Sequence, residues 1–77
     1  MNAKKLQLTK DEWKKIGENL REVREQKELT QEKVATDATI TASYYARIER
    51  GEEKPTVATL KYIFKALKVK SSDILPF

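Results

Sequence analysis

The chain has 77 residues, with 16 Lys and Arg against 12 Asp and Glu and neither His nor Cys, so it is sized for one small domain and has no imidazole or thiolate for a metal site or a nucleophile–base pair. No apolar run reaches the length of a membrane span and the N-terminus lacks the apolar core of a secretion signal, so a cytoplasmic protein is expected, with no room for a small-molecule effector domain. The net charge of +4 suits a polyanionic partner. Its distribution is uneven. Residues 1–10 carry three Lys and no acid, residues 11–29 five bases and six acids, residues 30–50 three of each, and residues 51–77 five Lys and three acids. Any attraction for phosphate therefore comes from the flanks of the central stretch.

Residues 1–8 read as a flexible arm ahead of a single domain spanning 9–77, with Lys4 and Lys5 able to touch phosphate. Thr9 as N-cap and Glu12 three residues on form a capping box, and Leu8 with Trp13 fits a hydrophobic staple. Trp13, Ile16, Leu20 and Val23 then recur at helical spacing, which predicts a first helix over residues 10–27. Gly17 in its middle is a poor helix former, and close packing against another element would explain it.

A second helix is predicted over 31–37, capped by Thr30, with Val34, Ala35 and Ala38 on one side. After a polar break at Thr39, Thr41 caps a third helix that runs to about Arg50, and Gly51 closes it. Tyr45 and Ile48, three apart, face inward. Thr41, Ala42, Ser43, Tyr44 and Arg47 are left on the outer side or at the exposed N-terminal end. Two short helices around a tight turn match the helix-turn-helix unit. The loop 51–55 is polar, and its acids Glu52 and Glu53 are expected to point away from any bound polyanion. Thr56 caps a fourth helix that would bury Val57, Leu60, Ile63, Phe64 and Leu67, with Lys61, Lys65 and Lys68 on a solvated face. A short final helix is predicted over 71–75, capped by Ser71 and stopped by Pro76. Ile74, Leu75 and Phe77 offer more apolar surface than it can hide, and form a candidate dimer patch.

The run Leu29-Thr30-Gln31-Glu32, followed by Arg47-Ile48-Glu49-Arg50-Gly51, resembles the Cro/repressor (XRE-type) helix-turn-helix family over about residues 16–75. The resemblance implies an all-α fold, a compact five-helix repressor-like domain with the helix-turn-helix formed by helices 2 and 3. It implies a structural ion pair between Arg24 and Glu49, and a phosphate contact from Gln31. Where the family commonly has Gly, this chain has Glu28, Thr39 and Lys68. A β-branched residue at such a left-handed position is sterically disfavoured, so either the turn between helices 2 and 3 differs or Thr39 is strained by about 1–2 kcal/mol.

Docked by its third helix in a major groove, such a domain would read base edges with Thr41, Ala42, Ser43 and Arg47, the guanidinium giving two parallel bonds to guanine. Gln31, Tyr44, Arg50 and Lys54 would meet phosphates. The expected function is sequence-specific, double-stranded DNA-binding transcriptional regulation as a homodimeric repressor or autoregulator. The alternative is a protein-interaction module with the same fold, an antitoxin or transcription adaptor. An enzyme is not expected: the carboxylates are scattered along charged helical faces, no Gly-rich loop could cradle a phosphate, and no catalytic residue, metal or cofactor is called for.

Overall fold

Four α-helices form because each begins at a Thr whose hydroxyl accepts a backbone N–H three residues on. They are α1 (Lys10–Gln26), α2 (Gln31–Asp37), α3 (Ala42–Glu49) and α4 (Val57–Leu67), capped by Thr9, Thr30, Thr41 and Thr56. At Thr9 the box is complete, since the Thr9 N–H donates to Glu12 at 2.8 Å and the Glu12 N–H to the Thr9 hydroxyl at 3.1 Å. The computed structural model describes residues 7–77. Lys4, Lys5 and most of the expected arm lie outside the described residues. Leu8 and Trp13, the two ends of the expected staple, are both partly buried against the core.

All four helices end in the same way. Glu28, Thr39, Gly51 and Lys68 adopt positive φ of 56°, 63°, 75° and 57°. In each case the N–H of that residue bonds the carbonyl three residues back, and the next N–H bonds the carbonyl five residues before it. This is the Schellman closure, which satisfies carbonyls that a helix end would otherwise leave free. The turn between α2 and α3 thus keeps its left-handed residue, and Thr39 takes the strained conformation.

The core gathers Ile16 and Leu20 of α1, Val34, Ala35 and Ala38 around α2, Tyr45 and Ile48 of α3, Ile63 and Leu67 of α4, and Ile74. α2 packs on α3 and α4, and α1 packs on α3. At the α1–α3 crossing Gly17 is essential: a Cβ there would lie 2.5 Å from the Ile48 carbonyl oxygen and closer still to that of Glu49. Gly51 is held in the same way, since its Cβ would meet the Lys14 backbone at 2.7 Å.

Four expectations are corrected. The final segment is not an α-helix but a single 3-10 turn, Ser71–Asp73, so the domain has four α-helices rather than five helices. Its cap is Lys70 rather than Ser71, because the Asp73 carboxylate accepts the Lys70 N–H at 2.9 Å and draws the backbone into a local turn. Ile74 is fully buried. The Asn19 side-chain amide donates to its carbonyl at 2.7 Å and pins the segment to α1, so Ile74 belongs to the core and not to an outer patch. Val57, expected inside, is 84% exposed. The apolar stripe of α4 is wider than the core beneath it, and its first turn runs past the edge.

Candidate nucleic-acid interface

Sequence places the outer side of α3 and the start of α2 on one surface, and the α1–α3 crossing fixes how that surface is presented. Arg24 and Glu49 make the joint. Nε of Arg24 donates to Glu49 at 2.7 Å, Nη2 to the other carboxylate oxygen at 3.2 Å, and Nη1 to the Leu29 carbonyl at 2.8 Å. Both side chains are mostly removed from water, at 12% and 2% exposure. The implied pair is therefore present, and a single guanidinium ties α1, the α1–α2 turn and the end of α3 together. Burial pushes the Glu49 carboxyl upward, but its hydrogen-bond donors, Arg24 foremost, prevail and hold it below the ordinary carboxylate range. The same bond raises Arg24 above its usual value. The Tyr45 hydroxyl is buried beside this pair with no hydrogen bond of good geometry, and burial pushes the phenol well above its usual range.

Gln31 joins the same cluster, its amide donating to Glu49 at 2.9 Å. It is only partly exposed at the first turn of α2. Among the described residues, its remaining amide hydrogen and its side-chain carbonyl oxygen have no bonding partner.

On α3, Thr41 and Ser43 are exposed, while Ala42, Tyr44 and Arg47 are half-buried. Tyr44 and Ala42 rest partly on the core. Arg47 reaches back along the helix, where Nη1 donates to the Ser43 hydroxyl at 3.0 Å and the guanidinium carbon sits 6.0 Å from the Tyr44 ring centre. Arg50 and Lys54 are exposed at the rim. The structure thus brings Ser43, Tyr44 and Arg47 together on α3 and leaves Thr41 and Ala42 at its N-terminal end, while Gln31 and Arg50 border one hollow beside Glu49 and Lys54 stands in the loop that follows. Among the described residues, Thr41 and Ser43 stay exposed on the outer side of α3, while Glu53 of the following loop lies against Arg47.

The placement of Glu52 and Glu53 corrects the expectation that they turn away. Glu53 accepts from Nε of Arg47 at 3.1 Å, and Glu52 accepts from Nε and Nη2 of Arg50 at 3.0 and 3.1 Å. The Arg50 hydrogen bond holds the exposed Glu52 carboxyl below its usual range. The closure at Gly51 folds the loop back over the end of α3, the Glu52 N–H donating to the Arg47 carbonyl at 2.9 Å, and that return carries both acids to the two arginines. Charge counting along the sequence could have suggested these pairs, since two Arg and three Glu lie within the seven residues 47–53. Asn19 gave no such signal.

A family model described as helix-turn-helix (HTH_3) matches residues 20–74. The chain belongs to the helix-turn-helix family of Cro/repressor type. Among curated relatives of this helix-turn-helix domain, a protein described as an uncharacterized HTH-type transcriptional regulator, y4dJ of Sinorhizobium fredii, is 36% identical over 62 residues, covering 80% of each chain. The immunity repressor protein of Bacillus phage phi105 is 33% identical over 60 residues, 78% of this chain but 42% of the repressor. The helix-turn-helix chain therefore spans less than half of that relative. Among solved structures, the restriction-modification controller protein C.AhdI of Aeromonas hydrophila superposes with a TM-score of 0.79 at 28% identity, over 82% of this chain and 96% of the controller. The controller C.Esp1396I, solved as a tetramer in complex with its natural 35 base-pair operator, superposes with a TM-score of 0.73 at 28% identity, over 78% and 79%. Among the described residues no helix is long and apolar enough to cross a membrane.

Proposed function

We infer that this protein is a sequence-specific, double-stranded DNA-binding transcriptional regulator that acts as a homodimer on a roughly palindromic operator. One observation carries the reading: a helix-turn-helix whose second helix leaves Thr41 and Ser43 exposed and Arg47 half-exposed beside them, on a mount fixed by the Arg24–Glu49 pair. The likeness to a controller solved in complex with its operator supports a DNA-binding role. α3 enters the major groove with its N-terminal end nearest the bases. Arg47 reads guanine, Ser43 donates or accepts at a neighbouring base, and the methyl groups of Thr41 and Ala42 pack on thymine methyls. Gln31, Tyr44, Arg50 and Lys54 meet phosphates and set register without reading sequence.

The two copies join through the face made by Val57, Phe64, Leu75 and Phe77. Val57 and Phe77 are 84% and 67% exposed, and Val57, Leu60, Phe64, Val69 and Leu75 line an apolar groove. A two-fold dimer would set its reading helices about 34 Å apart on successive grooves. The protein does no catalysis in this reading and works in the cytoplasm.

The ion pairs that neutralise Arg47 and Arg50 favour a second reading, a module of the same fold that binds a protein. Selection of sites from a random duplex pool decides between them. The DNA reading predicts enrichment of two half-sites, each containing a guanine, in a complex that weakens steeply with salt. Recovery of no common sequence contradicts it.

A further inference from the structure

Arg47 is the one candidate base reader whose charged group is already held on several sides. Nε faces the Glu53 carboxylate, Nη1 faces the Ser43 hydroxyl, and the Tyr44 ring lies alongside. Glu53 is itself held in place. It follows the left-handed Gly51, whose next N–H is bonded to the Arg47 carbonyl, and precedes the buried Pro55. The closed turn thus sets the Glu53 backbone beside the end of α3, within side-chain reach of Arg47.

A guanidinium carries five N–H donors in a plane. With Nε on Glu53 and one Nη1 hydrogen on Ser43, Nη2 and the remaining Nη1 hydrogen stay available. They lie along the terminal edge, the pair that can meet O6 and N7 of one guanine. A flexible arginine without a carboxylate behind it can instead turn to the nearest phosphate, which attracts it regardless of sequence.

We propose that Glu53 is a positioning residue for base reading: it holds Arg47 with its terminal edge toward guanine and makes the alternative phosphate contact unfavourable. Glu53 thereby trades general affinity for discrimination. This rests on the DNA-reading function proposed above. Glu52 is the natural control, because it carries the same charge one residue away but is bonded to Arg50, a phosphate-contacting residue.

The test measures binding of the full chain to a selected duplex and to the same duplex with the Arg47-paired guanine replaced by adenine. Glu53→Ala is expected to raise affinity for the replaced duplex and to reduce the ratio between the two by about fivefold or more. Glu52→Ala is expected to raise both affinities equally and leave the ratio unchanged. In an Arg47→Ala background, Glu53→Ala should no longer alter the ratio, an outcome a general effect on folding would not produce. Should the Ala variant melt early, Glu53→Gln keeps the side-chain shape and should shift the ratio in the same direction. An unchanged or increased ratio in Glu53→Ala overturns the proposal and leaves Glu53 as a mere competitor for Arg47. A wild-type protein that selects a site yet treats the two duplexes alike overturns it too, and one that selects no site removes the DNA reading beneath it.

Discussion

Thr39 sits at φ 63° at the centre of the helix-turn-helix, a conformation in which a β-branched side chain crowds its own backbone. Glycine would relieve that crowding, at the cost of a more flexible unfolded chain. The balance favours the folded state, so Thr39→Gly is expected to be stabilising by up to about 1 kcal/mol, a rise of about 4–8 °C in melting temperature. A clear fall on calorimetry would show that the Thr side chain contributes more than its strain removes. Arg47 gives the residue-scale prediction for function. Arg47→Ala should cost about 1–3 kcal/mol on the selected site and relax preference at one base pair, whereas Gln31→Ala should weaken all duplexes alike. Gln31→Ala also removes one donor from the buried Glu49, so its melting temperature is measured beside its affinity.

The joint between α1 and α3 makes stability depend on pH. Glu49 has its folded value depressed below the unfolded one. Its contribution is therefore fully present above the unfolded carboxylate value, near pH 4.3, and is lost as pH falls through the lower folded value. Melting of the wild type and of Glu49→Gln from pH 7 down to about pH 3 should show the wild type well ahead at neutral pH and the gap closing below about pH 4.5. A gap that stays constant across that range would mean the charge on Glu49 does not support the joint. The helices themselves were largely legible in the sequence. Four Thr caps, apolar spacing and Gly51 announce α1 to α4, and α2 falls on the predicted residues. What sequence could not show follows from contacts between distant residues. Periodicity marks an apolar stripe on α4 but not where the core beneath it ends, so Val57 was misplaced. The 3-10 turn and the burial of Ile74 depend on Asp73 closing onto Lys70 and on Asn19 reaching across from α1. The exposure of Thr41 and Ser43 on α3 was legible from spacing, but the partial burial of Ala42, Tyr44 and Arg47 and the loop return that brings Glu52 and Glu53 to the arginines were not.

At the scale of the whole molecule, the reading surface is close to neutral and the apolar groove lies along α4 and the final turn. In the proposed reading dimerisation and operator binding are coupled, because joining two half-site contacts makes the second effectively intramolecular. Val57→Asp with Phe77→Asp changes two exposed side chains and should leave the monomer's fold intact. Sedimentation should shift from dimer to monomer, and affinity for the palindromic site should fall by about tenfold or more. A variant that remains dimeric would place the interface elsewhere. The central claim is that the outer side of α3 meets the duplex. Amide chemical shifts followed while a selected duplex is titrated into the labelled protein test it most directly. The largest changes are expected from Thr41 to Arg47 and at Gln31, Arg50 and Lys54. Changes confined to Val57, Phe64 and Leu75, with the amides of α3 unmoved, would contradict it.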